Sequence, residues 1–99
     1  MELGTIPQYQ DDSTTPKKSP LTVGAAEVAI KVPANAKMFI YEVRNAPMKI
    51  TTTSGFGSGY TTILQGNGEA MRCQDLEYIY VKRGGLDDAE LQFHFDVFV

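Results

Sequence analysis

The sequence is poor in the residue types on which catalysis and metal binding usually depend. Its 99 residues include no Trp, one Cys and one His. A lone Cys73 excludes a disulfide within the chain and fits a reducing compartment. One Cys and one His also leave about half of the usual four zinc ligands unfilled. A nucleophilic Cys73–His94 pair requires that the two side chains meet in the fold, and nothing in their spacing favours this. We therefore expect a protein that is not an enzyme and holds no cofactor or metal.

Charge and hydropathy argue against two further classes of partner. The net charge is −3, and the basic pairs Lys17–Lys18 and Lys82–Arg83 are short and far apart in the chain. A broad electrostatic attraction to nucleic acid or to an anionic membrane is therefore not expected. No apolar run approaches the roughly 18 residues that a membrane-spanning helix needs. The beginning, MELGTIPQYQDD, lacks the basic segment and apolar core of a secretory signal, so we expect a protein used without export.

The first twenty residues differ in composition from the remainder. The stretch MELGTIPQYQDDSTTPKKSP contains three prolines and a Ser/Thr cluster, and each proline removes a backbone donor from any strand or helix. We predict an extended N-terminal arm over residues 1–20 and a folded domain over residues 21–99. A disordered tail is the ordinary alternative for a chain terminus. In the arm interpretation, Leu3, Ile6 and Tyr9 are separate apolar contacts for a neighbouring subunit.

From Leu21 onward, apolar and polar residues alternate in short stretches. The last stretch, AELQFHFDVFV, has the period of two that is typical of a half-buried strand. Similar stretches are EVAIKV, KMFIYEV, MKITTT, YTTIL, EAMRC and LEYIYVKR, and they are separated by turn signals such as PANA, QGNGE and RGGLDD. About seven antiparallel strands in one small domain predict an all-β sandwich or barrel. GAAEVAIKV contains good helix formers, but its branched residues recur at a period of two, so we predict a strand there.

Two groups of aromatic residues are candidates for contact with a partner. Phe56 and Tyr60 belong to GFGSGY, which lacks the lysine and the following helix of phosphate-binding loops. A mobile hairpin loop that offers two aromatic anchors is the better interpretation. Tyr78 and Tyr80 share one face of a predicted strand, and Ile79 and Val81, on the other face, suit the core better. We expect these tyrosines to lie partly outward, in a second packing layer or subunit interface, or on a ligand platform.

Two polar groups have a more ordinary explanation than catalysis. His94 and Asp96 share the polar face of the last strand, where the carboxylate is placed to orient the imidazole. Asp87 and Asp88 follow two glycines and are common turn residues. The sequence DDAE is also too short an acidic alternation for a calcium loop. We therefore assign no acid–base or metal role to either group.

The run LTVGAAEVAIKVPANAKMFIYEVRNAPMKI resembles a pattern in small structural proteins of tailed bacteriophages. There, an A-x-V-x-I/L-x-V-P strand is followed by a short N-A or G-A turn and a second strand. A third strand follows, introduced here by APMKI, and a later strand similar to LEYIYVKRGG precedes the last β segment. The resemblance covers about residues 25–99. It implies a compact β-sandwich that decorates or cements a virion, with an extended terminus that contacts neighbours and with no catalytic residue.

The resemblance and the composition together give one expected function and one alternative. We expect a virion accessory protein, a homo-oligomeric head decoration or cement subunit that stabilises the capsid by binding across neighbouring subunits. Its partner is the major capsid protein or another virion protein, and it is assembled into the virion in the host cytoplasm. The alternative is a carbohydrate- or receptor-binding β-module of a phage tail or fibre, in which nearby Asp or Asn residues accompany exposed tyrosines. The predicted partner-binding residues are Leu3, Ile6, Tyr9, Phe56, Tyr60, Tyr78 and Tyr80.

Overall fold

The computed structural model describes residues 18–57 and 59–97, and within these ranges the chain is an all-β sandwich. Its eight strands are β1 (Leu21–Val23), β2 (Val28–Lys31), β3 (Ala36–Arg44), β4 (Met48–Thr51), β5 (Thr61–Ile63), β6 (Gly68–Arg72), β7 (Tyr78–Arg83) and β8 (Ala89–Val97). The predicted all-β class is confirmed. The strand that sequence patterning did not separate is β1, because three residues are too few to establish a period of two.

The eight strands form two four-stranded antiparallel sheets that pack face to face. Sheet A has the order β1-β8-β3-β6, and sheet B has the order β2-β7-β4-β5. Long strands occupy the centre of sheet A, where nine-residue β3 and nine-residue β8 pair along most of their length. Short strands lie at the edges, and β5 and β6 are the edge strands on one side of the sandwich. Each sheet thus has one face in the core and one outer face.

The core follows the alternation seen in the sequence. Phe39 and Leu91 are fully buried on the inner face of sheet A, and Ile79 and Val81 are fully buried on the inner face of sheet B. The ring of Phe39 lies 5.1 Å from the ring of Phe95 and also contacts the rings of its other aromatic neighbours. Burial of each large apolar side chain stabilises the fold by about 1.5–3 kcal/mol relative to exposure. The predicted inner placement of the aliphatic residues of β7 is confirmed.

Three tight turns depend on residues that tolerate the left-handed backbone region. Asn45 has φ 73°, Asp75 has φ 75° and Gly66 has φ 88°, and Asn, Asp and Gly are the residues that adopt such angles most readily. Gly66 belongs to QGNGE, which was predicted as a turn. Nearby Gly68 approaches β3 so closely that an added Cβ atom would overlap the backbone carbonyl oxygen of Tyr41. Glycine is therefore required at position 68 for β6 to pair with β3.

The chain that precedes β1 is hydrogen-bonded to β8 just beyond the end of their strand pairing. The hydroxyl oxygen of Ser19 accepts a 3.0 Å hydrogen bond from the backbone N–H of Phe93. The first strand begins at Leu21, at the start of the predicted folded domain. The predicted arm contacts Leu3, Ile6 and Tyr9 lie outside the described residues, so their role stays a prediction.

Candidate partner-binding face

The outer face of sheet B gathers lysines and tyrosines from adjacent strands. In the register of the sheet, Lys31 lies opposite Tyr78, and Tyr80 lies between Ala29 and Thr51. One row further along, Lys49 lies directly opposite Lys82. Because side chains alternate along a strand, all of these residues are on the face opposite to the core. Two of the predicted contact residues, Tyr78 and Tyr80, are thus brought onto one surface, with their ring centroids 6.0 Å apart.

Each of the three lysines on this face lies over an aromatic ring. The Nζ of Lys31 is 5.2 Å from the ring centroid of Tyr78. The Nζ of Lys49 is 4.6 Å from the ring of Tyr60, and that of Lys82 is 4.9 Å from the ring of Phe56. A cation over a ring contributes about 0.5–1 kcal/mol at an exposed site. We call the set of Lys31, Lys49, Lys82, Phe56, Tyr60, Tyr78 and Tyr80 the lysine–aromatic face.

The glycine-rich loop supplies two of these rings because it folds back over sheet B. The carboxylate of Glu27 accepts two 2.7 Å hydrogen bonds, one from the hydroxyl of Ser54 and one from the backbone N–H of Gly55. The pKa of Glu27 is lowered, first by the hydrogen bond from Gly55, then by the bond from Ser54 and the positive charge of Lys82. On the other side of the loop, the hydroxyl of Thr51 donates a 2.9 Å bond to the carbonyl oxygen of Gly59. The loop is therefore anchored at both of its ends.

The aromatic residues of the loop have different environments. Phe56 has φ 58° and is only 6% exposed, although it lies outside the main core. Its ring centroid is 6.1 Å from that of Tyr60, which is 50% exposed. The expectation that both rings of a mobile loop are offered to a partner is therefore corrected for Phe56, whose ring packs against Lys82. Tyr60 keeps an exposed surface and remains a predicted contact.

The three lysines were not singled out from the sequence. Lys49 and Lys82 are directly opposite on neighbouring strands, and like charges in this position repel one another. The rings of Tyr60 and Phe56 lie over the two ammonium groups and offset part of this repulsion. A signal was present: Lys82 follows Tyr80 by two residues, so a period of two places them on one face. The position of Lys49 opposite Lys82, however, could not be predicted without the register between β4 and β7.

The outer face of sheet A differs in charge and chemistry. Glu42 and Arg44 form a 3.2 Å ion pair there, and His94 lies 3.7 Å from Asp96. The predicted shared face of His94 and Asp96 is confirmed. Both pairs are about half exposed, and such pairs contribute little to stability. This face mixes charges of both signs. The lysine–aromatic face carries three cations, and carboxylates lie beside Lys31, where Glu77 is 3.9 Å away, and near Lys82, whose charge acts on Glu27.

The sequence candidates for catalysis or metal binding are not brought together. Cys73 is fully buried, and burial raises the pKa of its thiol. The side chain of His94 is 60% exposed on the outer face of sheet A, so the two side chains lie on opposite sides of that sheet. In the described part of the chain, no group of three or more His, Cys, Asp or Glu side chains is placed to hold a metal ion.

A cleft of about 370 Å³ lies between the edges of the two sheets, on the side formed by β5 and β6. The hydroxyl of Tyr41 donates a 3.3 Å hydrogen bond to Glu69 Oε1 in this cleft. Burial and then the neighbouring Glu69 raise the pKa of Tyr41, so the phenol stays neutral well above neutral pH. Thr51, Thr61 and Met71 complete much of the lining. The cleft separates the two sheets at this edge and leaves β6 without a strand beyond it.

Comparisons with known proteins provide no relative for this chain. No protein-family model, no curated protein and no solved structure matches it. No helix that could cross a membrane occurs in residues 18–57 and 59–97. The geometry of the lysine–aromatic face and the resemblance of the sequence pattern are therefore the two observations that bear on function.

Proposed function

We propose that the chain is a virion structural accessory protein, a decoration or cement subunit on the head of a tailed bacteriophage. Its mechanism is binding: each subunit contacts neighbouring capsid proteins and resists internal pressure by burying surface across their joints. The resemblance of the strand and turn pattern supports the viral context. The lysine–aromatic face supports the binding mechanism, and we propose it as the surface that contacts the shell.

The observation that carries this proposal is the pair of opposed lysines with exposed aromatic surface beside them. Lys49 and Lys82 repel one another across two strands. A carboxylate from a partner that binds between them would relieve this repulsion and gain two ion pairs. Tyr60, which is 50% exposed, adds a ring of the type that dominates protein interfaces. Because the whole chain has a net charge of −3, this cationic surface directs an acidic partner to one face.

The central experiment compares charge reversals on the two outer faces. Lys49→Glu and Arg44→Glu change the net charge equally, but only the first lies on the lysine–aromatic face. Lys49→Glu also places an anion opposite Lys82, so the fold keeps a favourable pair. Binding to purified particles that lack this subunit is measured as occupancy against concentration. We expect Lys49→Glu to weaken binding at least about tenfold, or ~1.4 kcal/mol, and Arg44→Glu to weaken it less than about threefold. Equal occupancy for Lys49→Glu and the unmodified chain would contradict the proposal.

The predicted arm requires its own experiment. Removal of residues 1–17 leaves Ser19, whose hydroxyl holds the edge of β8, so the sandwich is expected to keep its thermal stability. If Leu3, Ile6 and Tyr9 contact a neighbouring subunit, the shortened chain occupies fewer sites on the particles at a given concentration. Unchanged occupancy would remove the arm from the mechanism and leave the lysine–aromatic face as the binding surface.

The paired tyrosine rings favour a carbohydrate-binding module as a second candidate. The rings of Tyr78 and Tyr80 are 6.0 Å apart on an outer sheet face, a suitable platform for stacking on a sugar. However, their cross-strand neighbours are Lys31, Ala29 and Thr51, not the Asp or Asn side chains that this alternative predicts. A glycan array probed with the unmodified chain and with Tyr80→Ala decides between the candidates. Specific glycan signals that disappear in Tyr80→Ala would favour the second one.

A further inference from the structure

Within residues 18–57 and 59–97, the edge strand β6 carries backbone groups that no other strand pairs with. It is five residues long, and the other three edge strands have three or four residues. The N–H of Val43 donates a hydrogen bond to the carbonyl oxygen of Asn67, and the N–H of Cys73 donates one to the carbonyl oxygen of Lys37. In this register, the odd-numbered residues of β6 direct their backbone N–H and C=O groups toward β3. In an antiparallel pair the backbone groups of alternate residues point the other way. The N–H and C=O groups of Ala70 and Arg72 therefore point away from sheet A.

The side chains of β6 leave this edge accessible. Four of the five residues of β6 are exposed, and Met71 is partly exposed. Ala70, at the centre of the strand, has too small a side chain to shield the backbone. Proline and inward-facing charges are two features that keep a strand edge from pairing. No proline occurs in β6, and its inward-facing carboxylate, Glu69, is occupied by a hydrogen bond from Tyr41. Strand edges that lack effective protection readily pair with another strand.

We propose that β6 pairs with β6 of a second copy of this chain. The two four-stranded A sheets then form one continuous eight-stranded sheet around a twofold axis. The inference concerns self-association alone and does not depend on the proposed function.

The sequence of β6 selects one register for this pairing. With Ala70 opposite Ala70 of the second copy, all five residues pair and no like charges are opposed. A shift in one direction places Glu69 opposite Glu69 of the second copy, which is unfavourable because like charges repel. A shift in the other direction leaves three paired residues. The register centred on Ala70 is therefore the favoured one.

Charge complementarity supports the same register. Centring on Ala70 places Arg72 of the second copy opposite Gly68, which has no side chain. On the far side of Gly68, in the register of sheet A, lies Glu42. Arg72 of the second copy can thus extend over Gly68 toward the Glu42 carboxylate, a distance of two strand spacings, or roughly 9.6 Å between Cα atoms. The twofold axis creates this contact twice. Arg72 forms no ion pair within the described residues, so its charge is available. Glu42 already pairs with Arg44 at 3.2 Å, and Arg72 of the second copy would be the second cation beside its carboxylate.

The first test introduces a proline that should prevent the pairing of two β6 strands and leave the single subunit intact. The N–H of Ala70 points out of the sheet, so Ala70→Pro removes no hydrogen bond from the single subunit, and edge strands tolerate proline. Ala70→Val, which keeps the N–H and favours strands, is the matched control. Sedimentation of the full chain is measured from about 10 µM to about 1 mM, because a small interface implies weak association. We expect the unmodified chain and Ala70→Val to dimerise and Ala70→Pro to stay monomeric with an unchanged circular dichroism spectrum.

The second test examines the register by exchanging charges. Arg72→Glu places an anion near Glu42 of the other copy, and we expect the dimer dissociation constant to rise at least about fivefold. Adding Glu42→Arg to Arg72→Glu restores the opposite charges, and we expect most of the affinity to return. A chain that is monomeric at about 1 mM, or an Ala70→Pro variant that still dimerises, would overturn the pairing. A charge exchange that restores nothing would overturn the register. None of these measurements involves the particles used to test the proposed function.

Discussion

The packing of the glycine loop predicts an unusual order of stability among variants of Phe56. The ring is 6% exposed, and it contacts Lys82 and Tyr60 outside the main core. Burial of a Phe side chain is worth about 1.5–3 kcal/mol, and the contact with Lys82 adds about 0.5–1 kcal/mol. Since one side of the site is a solvated lysine, we expect Phe56→Ala to lower the free energy of unfolding by about 2–3 kcal/mol.

The backbone angle of Phe56 makes glycine the better replacement. At φ 58°, any residue with a Cβ atom is strained by about 1–2 kcal/mol. Glycine avoids this strain, but it loses about 0.5–1 kcal/mol through the greater freedom of the unfolded chain. We therefore expect Phe56→Gly to be more stable than Phe56→Ala by up to about 1.5 kcal/mol, the reverse of the usual order of these two residues.

Urea unfolding followed by circular dichroism measures both variants, with Tyr60→Ala as the control. Tyr60 is half exposed and contacts Lys49, so its removal should cost about 1 kcal/mol or less. A loss below about 0.5 kcal/mol for Phe56→Ala would refute the packing of the loop against sheet B. An alanine variant clearly more stable than the glycine variant would refute the left-handed backbone at this position.

Three further predictions concern titrating groups. Burial raises the pKa of Tyr41, so the stability that it contributes is complete below the ordinary tyrosine pKa of about 10 and is lost as pH rises further; pH-dependent urea unfolding should show this alkaline loss in the unmodified chain and a smaller one in Tyr41→Phe. The lowered pKa of Glu27 has the opposite sign, so its contribution is present above the ordinary glutamate range and is lost as pH falls through the lowered pKa. Limited proteolysis should therefore cut residues 52–60 faster in Glu27→Gln than in the unmodified chain at neutral pH, and equal rates would contradict the anchoring of the loop. Cys73 is fully buried with a raised pKa, so a thiol reagent should modify it in urea far faster than in the native state, and equal rates would place the thiol at the surface.

The sandwich was predictable because its physical determinants are local. Alternation in KMFIYEV and in the last stretch identified β3 and β8, and the structure buries Phe39 and Phe95 in these strands as a period of two requires. Glycines and asparagines marked the turns because few residues accept a positive φ. The three residues of β1 were missed because their position depends on pairing with β8, a contact between segments that are distant in the chain.

The candidate face was only partly predictable, because it depends on contacts between distant segments. The outward placement of Tyr78 and Tyr80 followed from the strand period. The burial of Phe56 did not, because it results from the bonds that Glu27 makes to Ser54 and Gly55, 27 and 28 residues further along the chain. Composition suggested a flexible glycine loop, whereas the carboxylate of Glu27, just before β2, holds it in place.

The two proposed surfaces are compatible within one subunit, and their geometry connects them. Pairing of β6 with a second β6 creates a twofold axis perpendicular to sheet A, because side chains of directly opposed residues in an antiparallel pair point to the same side. Sheet B packs on one side of sheet A in each copy, so both lysine–aromatic faces of the dimer point in the same direction. A dimer of this kind would meet a flat acidic surface with two faces at once. The second contact would then form at a high effective concentration. Weak self-association and a modest affinity per face would thus together be sufficient for the attachment to a shell that we propose.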